Sequence, residues 1–222
     1  MGYKFDFSIL NRYGPYMIEG LYYTLQIAVP SILFATLLGG LLAALQTLPN
    51  RYVRAATVFF VDIFRTVPVI CLLFWVHYVL PILVGIRLTA VESAILSLSL
   101  NGAAFICEAY RGGLEAIPHT QRQASASLGF SNLQTLRYIV FPQALFATLP
   151  SITNVHITII KTVPIAVVIA VPEVMFRAQE LTVQFFRPLE LYTGAAVLYV
   201  LLVICYTMLM RRIEKLRKWD PI

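Results

Sequence analysis

Charged and amide side chains next to long apolar stretches are the residues of this chain best suited to chemistry. Glu108 follows an uncharged run, and Asn101 lies seven residues before it, on the same helix face. Lys161 closes a second, largely apolar run and is followed by Thr162. Ionisable groups at membrane depth usually face a bundle interior or a water-filled cavity. The pattern predicts a path for a polar solute lined by Asn101, Glu108, Lys161 and Thr162, with Glu108 meeting an ammonium group and Lys161 a carboxylate.

Structural roles are the alternative for these charges. Glu108 can pair with Arg111, one turn along the same helix. Lys161 can extend its ammonium group to the interface and anchor a helix end. Asp62 and Arg65 are spaced i, i+3, and we expect them to neutralise each other rather than to bind solute.

No cofactor site is predicted in this chain. The cysteines lie singly in apolar runs, and Ser131 lacks the Gly-x-Ser-Gly setting of an intramembrane serine protease. No GxxxxGK[ST] loop occurs, so any ATP must be bound by another chain. These features argue against a membrane enzyme. Three histidines lie in different segments without the spacing of metal ligands: His77, His119 and His156.

The composition is that of an integral membrane protein. Of the 222 residues, 59% are hydrophobic and 13% charged, against roughly 25% charged in soluble domains, and the mean hydropathy is +0.77. The net charge of +6 does not indicate nucleic-acid binding, because basic residues concentrate in "RRIEKLRK" at 211–218. Such a basic tail is typical of the cytoplasmic side of a membrane.

Apolar runs of about 20 residues predict five transmembrane helices in an all-α chain. Positive charge in the loop at 47–55, in segment 111–141 and in the tail places these parts in the cytoplasm, and segment 171–190 has a slight acidic excess. The N-terminus is then outside. Small residues recurring every four positions at Ala35, Gly39 and Ala43 predict close helix packing. The predicted spans are about 19–46, 56–85, 88–110, 142–160 and 192–210.

The stretch "KTVPIAVVIAVP" at 161–172 does not fit this series. Only ten residues separate Lys161 from Pro172, too few for another crossing. A re-entrant or broken helix is one interpretation, tolerated where protein or a water-filled path satisfies its backbone. The other is the continuation of a long tilted helix.

Segment 111–141 interrupts the apolar pattern. Leu133, Leu136 and Val140 recur at helical spacing, so an amphipathic helix must bury this face on another surface. The segment has only three basic residues, partly offset by Glu115, which favours a protein partner over the membrane surface.

The end of this segment resembles the EAA loop of ATP-binding cassette importer permeases. The family pattern is EAA, three residues, Gly, nine residues and I-x-L-P, and its spacing is kept in full. Gln123, Ser125 and Phe141 depart from the family residues. The positions that align with the family pattern are Gln123, Ala124, Ser125, Gly129, Ile139, Val140, Phe141 and Pro142.

The likeness covers about 20–212 and extends to the polar amino-acid uptake branch. "EAYRGGLEAIPHTQRQA" is similar to the block upstream of that branch's loop, and "FRTVP" at 64–68 is similar to its Phe-Arg-Gly-Thr-Pro element. "KTVPI" at 161–165 stands where the branch has Lys-Asp-Thr-Ser-Leu.

The resemblance implies a type I permease fold with cytoplasmic coupling helices between the third and fourth spans. It implies a short helix around 119–128 in a groove on the ATPase and a sharp turn at Gly129. The contact residues carried over from the family are Gln123, Ala124, Ser125, Leu128, Gly129 and Pro142.

The resemblance also implies an assembly in a bacterial cytoplasmic membrane. Two permease subunits, identical or sister chains, form the pore, two ATPase subunits hold ATP and Mg²⁺, and a solute-binding protein delivers the amino acid. The domains expected are an extracytoplasmic segment at 1–18, the permease domain at 19–212 with its loop at about 111–142, and a basic tail at 213–222. A stand-alone channel or secondary transporter is the alternative, but it would not need a docking loop.

Overall fold

The computed structural model describes residues 4–215, and all regular structure in this range is helical. This confirms the predicted all-α class. Two π-helical turns, Trp75–Val79 and Leu136–Val140, and a 3-10 helix, Val163–Ile169, join α-helices. The α-helices are α1 (Ser8–Gln46), α2 (Arg51–Thr66), α3 (Val69–Phe74), α4 (Leu80–Val84), α5 (Ala90–Glu115), α6 (His119–Ser127), α7 (Asn132–Thr135), α8 (Phe141–Thr162), α9 (Val174–Phe185) and α10 (Pro188–Lys215).

Four helical runs of the described chain are long and apolar enough to cross a membrane: Ser8–Gln46, Ala90–Glu115, Asn132–Ile169 and Pro188–Lys215. The run Arg51–Thr66 qualifies only together with Val69–Val84, and the two are bent by 104°. The bend lies at Pro68, which has no N–H to continue α2. The predicted five spans are therefore present when this bent pair counts as one.

Two boundaries differ from the sequence-based expectation. Helix α1 begins at Ser8 rather than near 19, because a helix can extend beyond the hydrocarbon layer through charged residues such as Arg12 and Glu19. The helical run after Lys161 continues as a 3-10 helix to Ile169 and ends at Ala170, whose φ is 59°. The run thus continues beyond Lys161, as the second interpretation expects, but it changes from an α-helix to a 3-10 helix after Thr162 and stops at Ile169.

The chain packs as two compact units. The described parts of unit 1 are 4–33, 67–99 and 157–206. In its core, Met17 of α1 packs with Val174 of α9 and Leu191 of α10. The backbones of α1 and α9 approach closely at Gly20, where an added Cβ would lie 2.7 Å from the Val174 nitrogen. This contact requires glycine.

The described parts of unit 2 are 34–66, 100–156 and 207–215. Its core joins α1, α2 and α5. An added Cβ at Gly39 would lie 2.7 Å from Ile106 Cγ2 and 2.8 Å from the Ala103 oxygen. Ala35 and Ala43 are buried on the same ridge. The small-residue spacing therefore produces the close helix packing that it predicts.

Candidate functional site

Helix α6 and helix α7 form a sharp corner, which we call the α6–α7 corner (residues 119–135). Helix α6 follows Pro118 and ends in a Schellman motif, in which the Phe130 N–H bonds the Ser125 oxygen at 3.1 Å and the Gly129 N–H bonds the Ala126 oxygen at 3.0 Å. Gly129 has a φ of 81°, in the left-handed region that favours glycine. The chain therefore turns at the position that the motif spacing predicts.

A capping box starts α7 directly after this turn. The Ser131 hydroxyl accepts the Gln134 N–H at 3.3 Å, and the Gln134 side chain accepts the Ser131 N–H at 2.8 Å. This reciprocal pair satisfies two N–H groups at the helix start that would otherwise lack partners. The direction of α7 is thus fixed by residues of the corner itself.

Two side-chain hydrogen bonds join the helices around the corner. The hydroxyls of Ser125 and Thr135 lie 2.8 Å apart, and both residues are buried. The Gln143 amide donates to the Gln121 side chain at 2.6 Å and so links α8 to α6. Helices α6 and α7 therefore form one block with a direct connection to α8.

The outer surface of the corner carries exposed leucines, and beyond Arg122 on α6 it is uncharged. The side chains of Leu128 and Leu133 are 78% and 73% exposed. No charged residue occurs between Gln123 and Leu136. An exposed apolar surface on a rigid element is typical of a protein interaction site. Val140 is buried, so only part of the predicted amphipathic face is covered within this chain.

The predicted contact residues divide by exposure. Gln123, Ala124, Leu128 and Gly129 are exposed, and Pro142 is half-buried in α8. Ser125 is buried against Thr135 and does not reach the outer surface. Its hydroxyl holds the corner together.

Asn101 completes the hydrogen bonding of α2 at the bend. In a continuous helix, the Phe64 carbonyl would accept the N–H of residue 68, but residue 68 is proline. The Asn101 amide donates to the Phe64 oxygen at 2.7 Å instead. The amide thus fastens α5 to the end of α2.

Glu108 belongs to an ion-pair cluster between α2 and α5. Its carboxylate lies 2.8 Å from Arg111 and 3.2 Å from Arg65, and its side chain is 22% exposed. The structural alternative for Glu108, an ion pair with Arg111 on the same helix, is therefore present. The expected Asp62–Arg65 pair is wrong: within residues 4–215, the ion pair of Arg65 is with Glu108, because the tertiary contact of α2 with α5 prevails over the local spacing.

Lys161 and Thr162 lie at the end of α8 in unit 1, whereas Asn101 and Glu108 belong to unit 2. The Lys161 side chain is exposed. The Thr162 hydroxyl donates to the Thr158 oxygen of its own helix at 2.7 Å. The structure brings Asn101 and Glu108 to the same α2–α5 contact and describes the other two predicted path residues in the other unit.

Comparison with known proteins is consistent with this geometry. Residues 35–219 match the family model described as "Binding-protein-dependent transport system inner membrane component". The chain belongs to this family. It is 29% identical to the glutamine transport system permease protein GlnP of Escherichia coli strain K12, over 97% of this chain and 99% of that protein. It is 32% identical to the arginine transport system permease protein ArtQ of Bacillus subtilis strain 168, over 95% and 96%.

The solved structures similar to this permease confirm the fold. An amino acid ABC transporter with histidines aligns with a TM-score of 0.89 at 23% identity, over 97% of this chain and 100% of that one. An inward-facing MetNI methionine ABC transporter aligns at 0.73 and 23% identity, over 89% and 94%. The fold is that of a type I ABC importer permease.

Family membership fixes the general role of the chain. It is a multi-pass inner-membrane permease subunit of an ATP-driven importer, and the ATPase of such a transporter is a separate subunit. The family works with a solute-binding protein, as its description states. Within residues 4–215, no group of three or more His, Cys, Asp or Glu side chains could hold a metal ion.

A buried carboxylate in this permease was missed by the sequence-based prediction. Glu173 is fully buried, caps α9 by accepting the Phe176 N–H at 2.7 Å, and accepts the Tyr199 hydroxyl, which lies 3.5 Å from that of Thr24. Burial raises the pKa of Glu173. Glutamate is not a preferred N-cap residue, so the only signal in the sequence was the break at Pro172 before an amphipathic run.

Proposed function

We propose that this permease imports a polar amino acid, with ATP and Mg²⁺ bound by a partner ATPase that docks on the α6–α7 corner. The observation that carries the docking proposal is the exposed, uncharged surface around Leu128 on a corner fixed by side-chain hydrogen bonds. The amino-acid substrate is supported by relatives whose names state glutamine and arginine transport.

The assembly that fits this role has two permease subunits, identical or sister chains, and two ATPase subunits. The permease domain is 19–212, with a short extracytoplasmic segment at 1–18 and a basic cytoplasmic tail at 213–222. The N-terminus lies outside, because an odd number of spans separates it from a tail rich in positive charge. Residues 216–222 of the tail lie outside the described part of the chain.

Coupling proceeds through movement of the α6–α7 corner. Closure of the ATPase dimer on ATP shifts the corner, and the Gln121–Gln143 bond passes the shift to α8. The π-helical turn Leu136–Val140 lies between α7 and α8. Such turns often occur at functional sites, and here the turn is a joint between the docking block and a membrane span.

The solute path includes Lys161 and Thr162, since the exposed ammonium of Lys161 can meet a solute carboxylate. Glu108 and Asn101 already have partners at the α2–α5 contact. They shape the path by holding these helices together, and Glu108 meets a solute ammonium group only when Arg65 or Arg111 releases it.

Substitution Gly129→Asp tests the docking surface. The change places a carboxylate on the corner at a position with a φ of 81°, and we expect the chain to insert while co-purification of the ATPase in detergent falls. Gly112→Asp is the control for added charge alone, because Gly112 is also exposed, has no left-handed φ, and an added Cβ there meets no atom within 4 Å.

Normal assembly and uptake in Gly129→Asp would contradict the docking proposal. A pull-down of the wild-type permease from its native membrane tests the broader proposal of an ATP-driven importer. Recovery of an ATPase with a phosphate-binding loop supports the importer. Isolation of the permease alone, together with solute movement into liposomes without ATP, would instead support a stand-alone secondary transporter.

A further inference from the structure

Helix α10 carries an exposed strip on which large apolar side chains lead directly to cations. Leu201, Ile204 and Met208 are exposed, and so are Arg211 and Lys215. The five residues are spaced i, i+3, i+7, i+10 and i+14 along one unbroken helix, so they share one of its faces. We call this face the α10 strip. It has an apolar part at 201–208 and a basic part at 211–215.

The apolar part of the α10 strip has the length of one membrane leaflet. Helix α10 is a membrane-spanning candidate, and no charged residue occurs between Glu190 and Arg211. At a rise of about 1.5 Å per residue, Leu201 lies about 15 Å from Arg211 along the helix axis. This is half of a hydrocarbon core that is about 30 Å thick. When the cations lie at the level of the headgroups, the apolar part therefore reaches the bilayer centre.

The basic part of the α10 strip is not neutralised by carboxylates of the described chain. Within residues 4–215, no ion pair involves the cations at 211, 212 and 215. The acid nearest to them in sequence, Glu214, is half-buried and accepts the Thr153 hydroxyl of α8 at 3.1 Å. By contrast, Arg111 near the end of α5 pairs with two glutamates. The end of α10 therefore presents net positive charge.

We propose that the α10 strip binds an anionic phospholipid, with one acyl chain along its apolar part and the phosphate beside Arg211 and Lys215. Five basic residues occur at 211–218, and such clusters directly after a transmembrane helix attract anionic headgroups. An apolar part of leaflet length on the same face fits an anion that carries an acyl chain. A second permease copy that packed its own α10 strip here would bring like charges together. The site depends on neither the transported solute nor the ATPase.

Native mass spectrometry of the assembled transporter tests the charge requirement. Wild type should bind palmitoyl-oleoyl phosphatidylglycerol more tightly than the matched phosphatidylcholine. Arg211→Gln and Lys215→Gln should each weaken phosphatidylglycerol binding about fivefold, the factor that one basic residue near an anionic surface contributes, and leave phosphatidylcholine binding unchanged. Arg211→Lys keeps the charge and should bind as wild type does. Arg54→Gln is the control, because Arg54 is an exposed cation on α2.

A phosphatidylglycerol with a photoactivatable group in its acyl chain tests the apolar part of the α10 strip. After irradiation of the assembled transporter, adducts should map to residues 201–208, and Arg211→Gln should reduce them. Excess inorganic phosphate should not prevent their formation, because phosphate has no acyl chain to occupy the strip. Adducts elsewhere only, or their loss on addition of phosphate, would contradict a lipid site on this face.

Equal phosphatidylglycerol affinity in wild type and the double variant Arg211→Gln/Lys215→Gln would overturn the proposal. Loss of the ATPase from the double variant, with lipid still bound, would assign the cations to that subunit instead. A disulfide between permease subunits through Met208→Cys in a cysteine-free background would assign the strip to a second copy. If the double variant does not assemble, wild type is measured at rising salt. Its phosphatidylglycerol affinity should then fall, and an affinity independent of salt would contradict the proposal.

Discussion

Asn101 supplies the hydrogen-bond donor that Pro68 lacks, which gives it a measurable structural role. Asn101→Leu leaves the Phe64 carbonyl without its partner at the bend of α2. We expect a loss of about 1–3 kcal/mol, measured as a lower melting temperature of the purified transporter. Ser99→Ala is the control, since within residues 4–215 its hydroxyl bonds the Ile95 oxygen of its own helix. Equal melting of Asn101→Leu and Ser99→Ala would contradict this role.

Glu173 should make the stability of the permease depend on pH. Because burial raises its pKa in the folded state, stability is highest at low pH and declines as pH rises from the ordinary glutamate value near 4.5 to the raised folded value. Glu173→Gln keeps an oxygen acceptor for the Phe176 N–H and removes the charge. The melting temperature of this variant relative to wild type should therefore increase with pH.

Glu180→Gln is the control, because Glu180 is an exposed carboxylate in the middle of the same helix, where it accepts the Tyr16 hydroxyl. A constant difference between Glu173→Gln and wild type across pH 4 to 8 would mean that the folded pKa is not raised. Tyr199 and Thr24, which face Glu173 from α10 and α1, are retained in both variants.

These residues also show the limit of inference from sequence at this scale. The sequence showed that Asn101 and Glu108 are unusual, because they are polar side chains in or next to an apolar run. It did not show their partners, Phe64 and Arg65, which lie far away along the chain. Local spacing favoured Asp62 for Arg65, and only the packing of α2 on α5 selects Glu108. The partner of a side chain depends on tertiary contacts that periodicity does not contain.

At the scale of elements, the α6–α7 corner should act as a rigid lever. Gln121→Ala and Gln143→Ala each break the bond between α6 and α8, so ATP hydrolysis should continue while less solute moves per ATP. The double variant should be no worse than either single variant, because both remove one interaction. Transport and hydrolysis in proteoliposomes give this ratio.

Gln134→Ala is the control for the lever, since it removes an amide that bonds only within the corner. A normal solute-to-ATP ratio in Gln121→Ala would contradict transmission through this bond. The same ratio loss in Gln134→Ala would indicate that general loosening of the corner is responsible.

The elements themselves were largely predictable. Long apolar runs found the spans of α5, α8 and α10 because hydrocarbon requires them. Hydropathy predicted only the apolar part of α1 and not its first turns. It also predicted one span across α2 and the run after Pro68, and it did not predict the bend of 104° between them. The turn at Gly129 followed from motif spacing, whereas the Ser125–Thr135 bond depends on how that turn brings two helices together.

At the scale of the whole molecule, a single span, the run through α8 to Ile169, separates the α6–α7 corner from α9, so we expect the two to face opposite sides of the membrane. In a cysteine-free background, Gln179→Cys should react with a membrane-impermeant maleimide in intact cells. Ser127→Cys should react only after permeabilisation. Both positions are exposed in this chain, and labelling is done in cells without the ATPase so that a docked partner does not cover Ser127. Labelling of both in intact cells would contradict the topology.

The bare leucine surface of the corner has a consequence for the life of the protein in a cell. A permease made without its ATPase leaves Leu128 and Leu133 uncovered, and exposed apolar surface is an aggregation liability. Chaperones and proteases continuously sort proteins in such states. On the proposed docking, we expect the supply of the ATPase to set how much permease survives, so that turnover as well as synthesis balances the subunits.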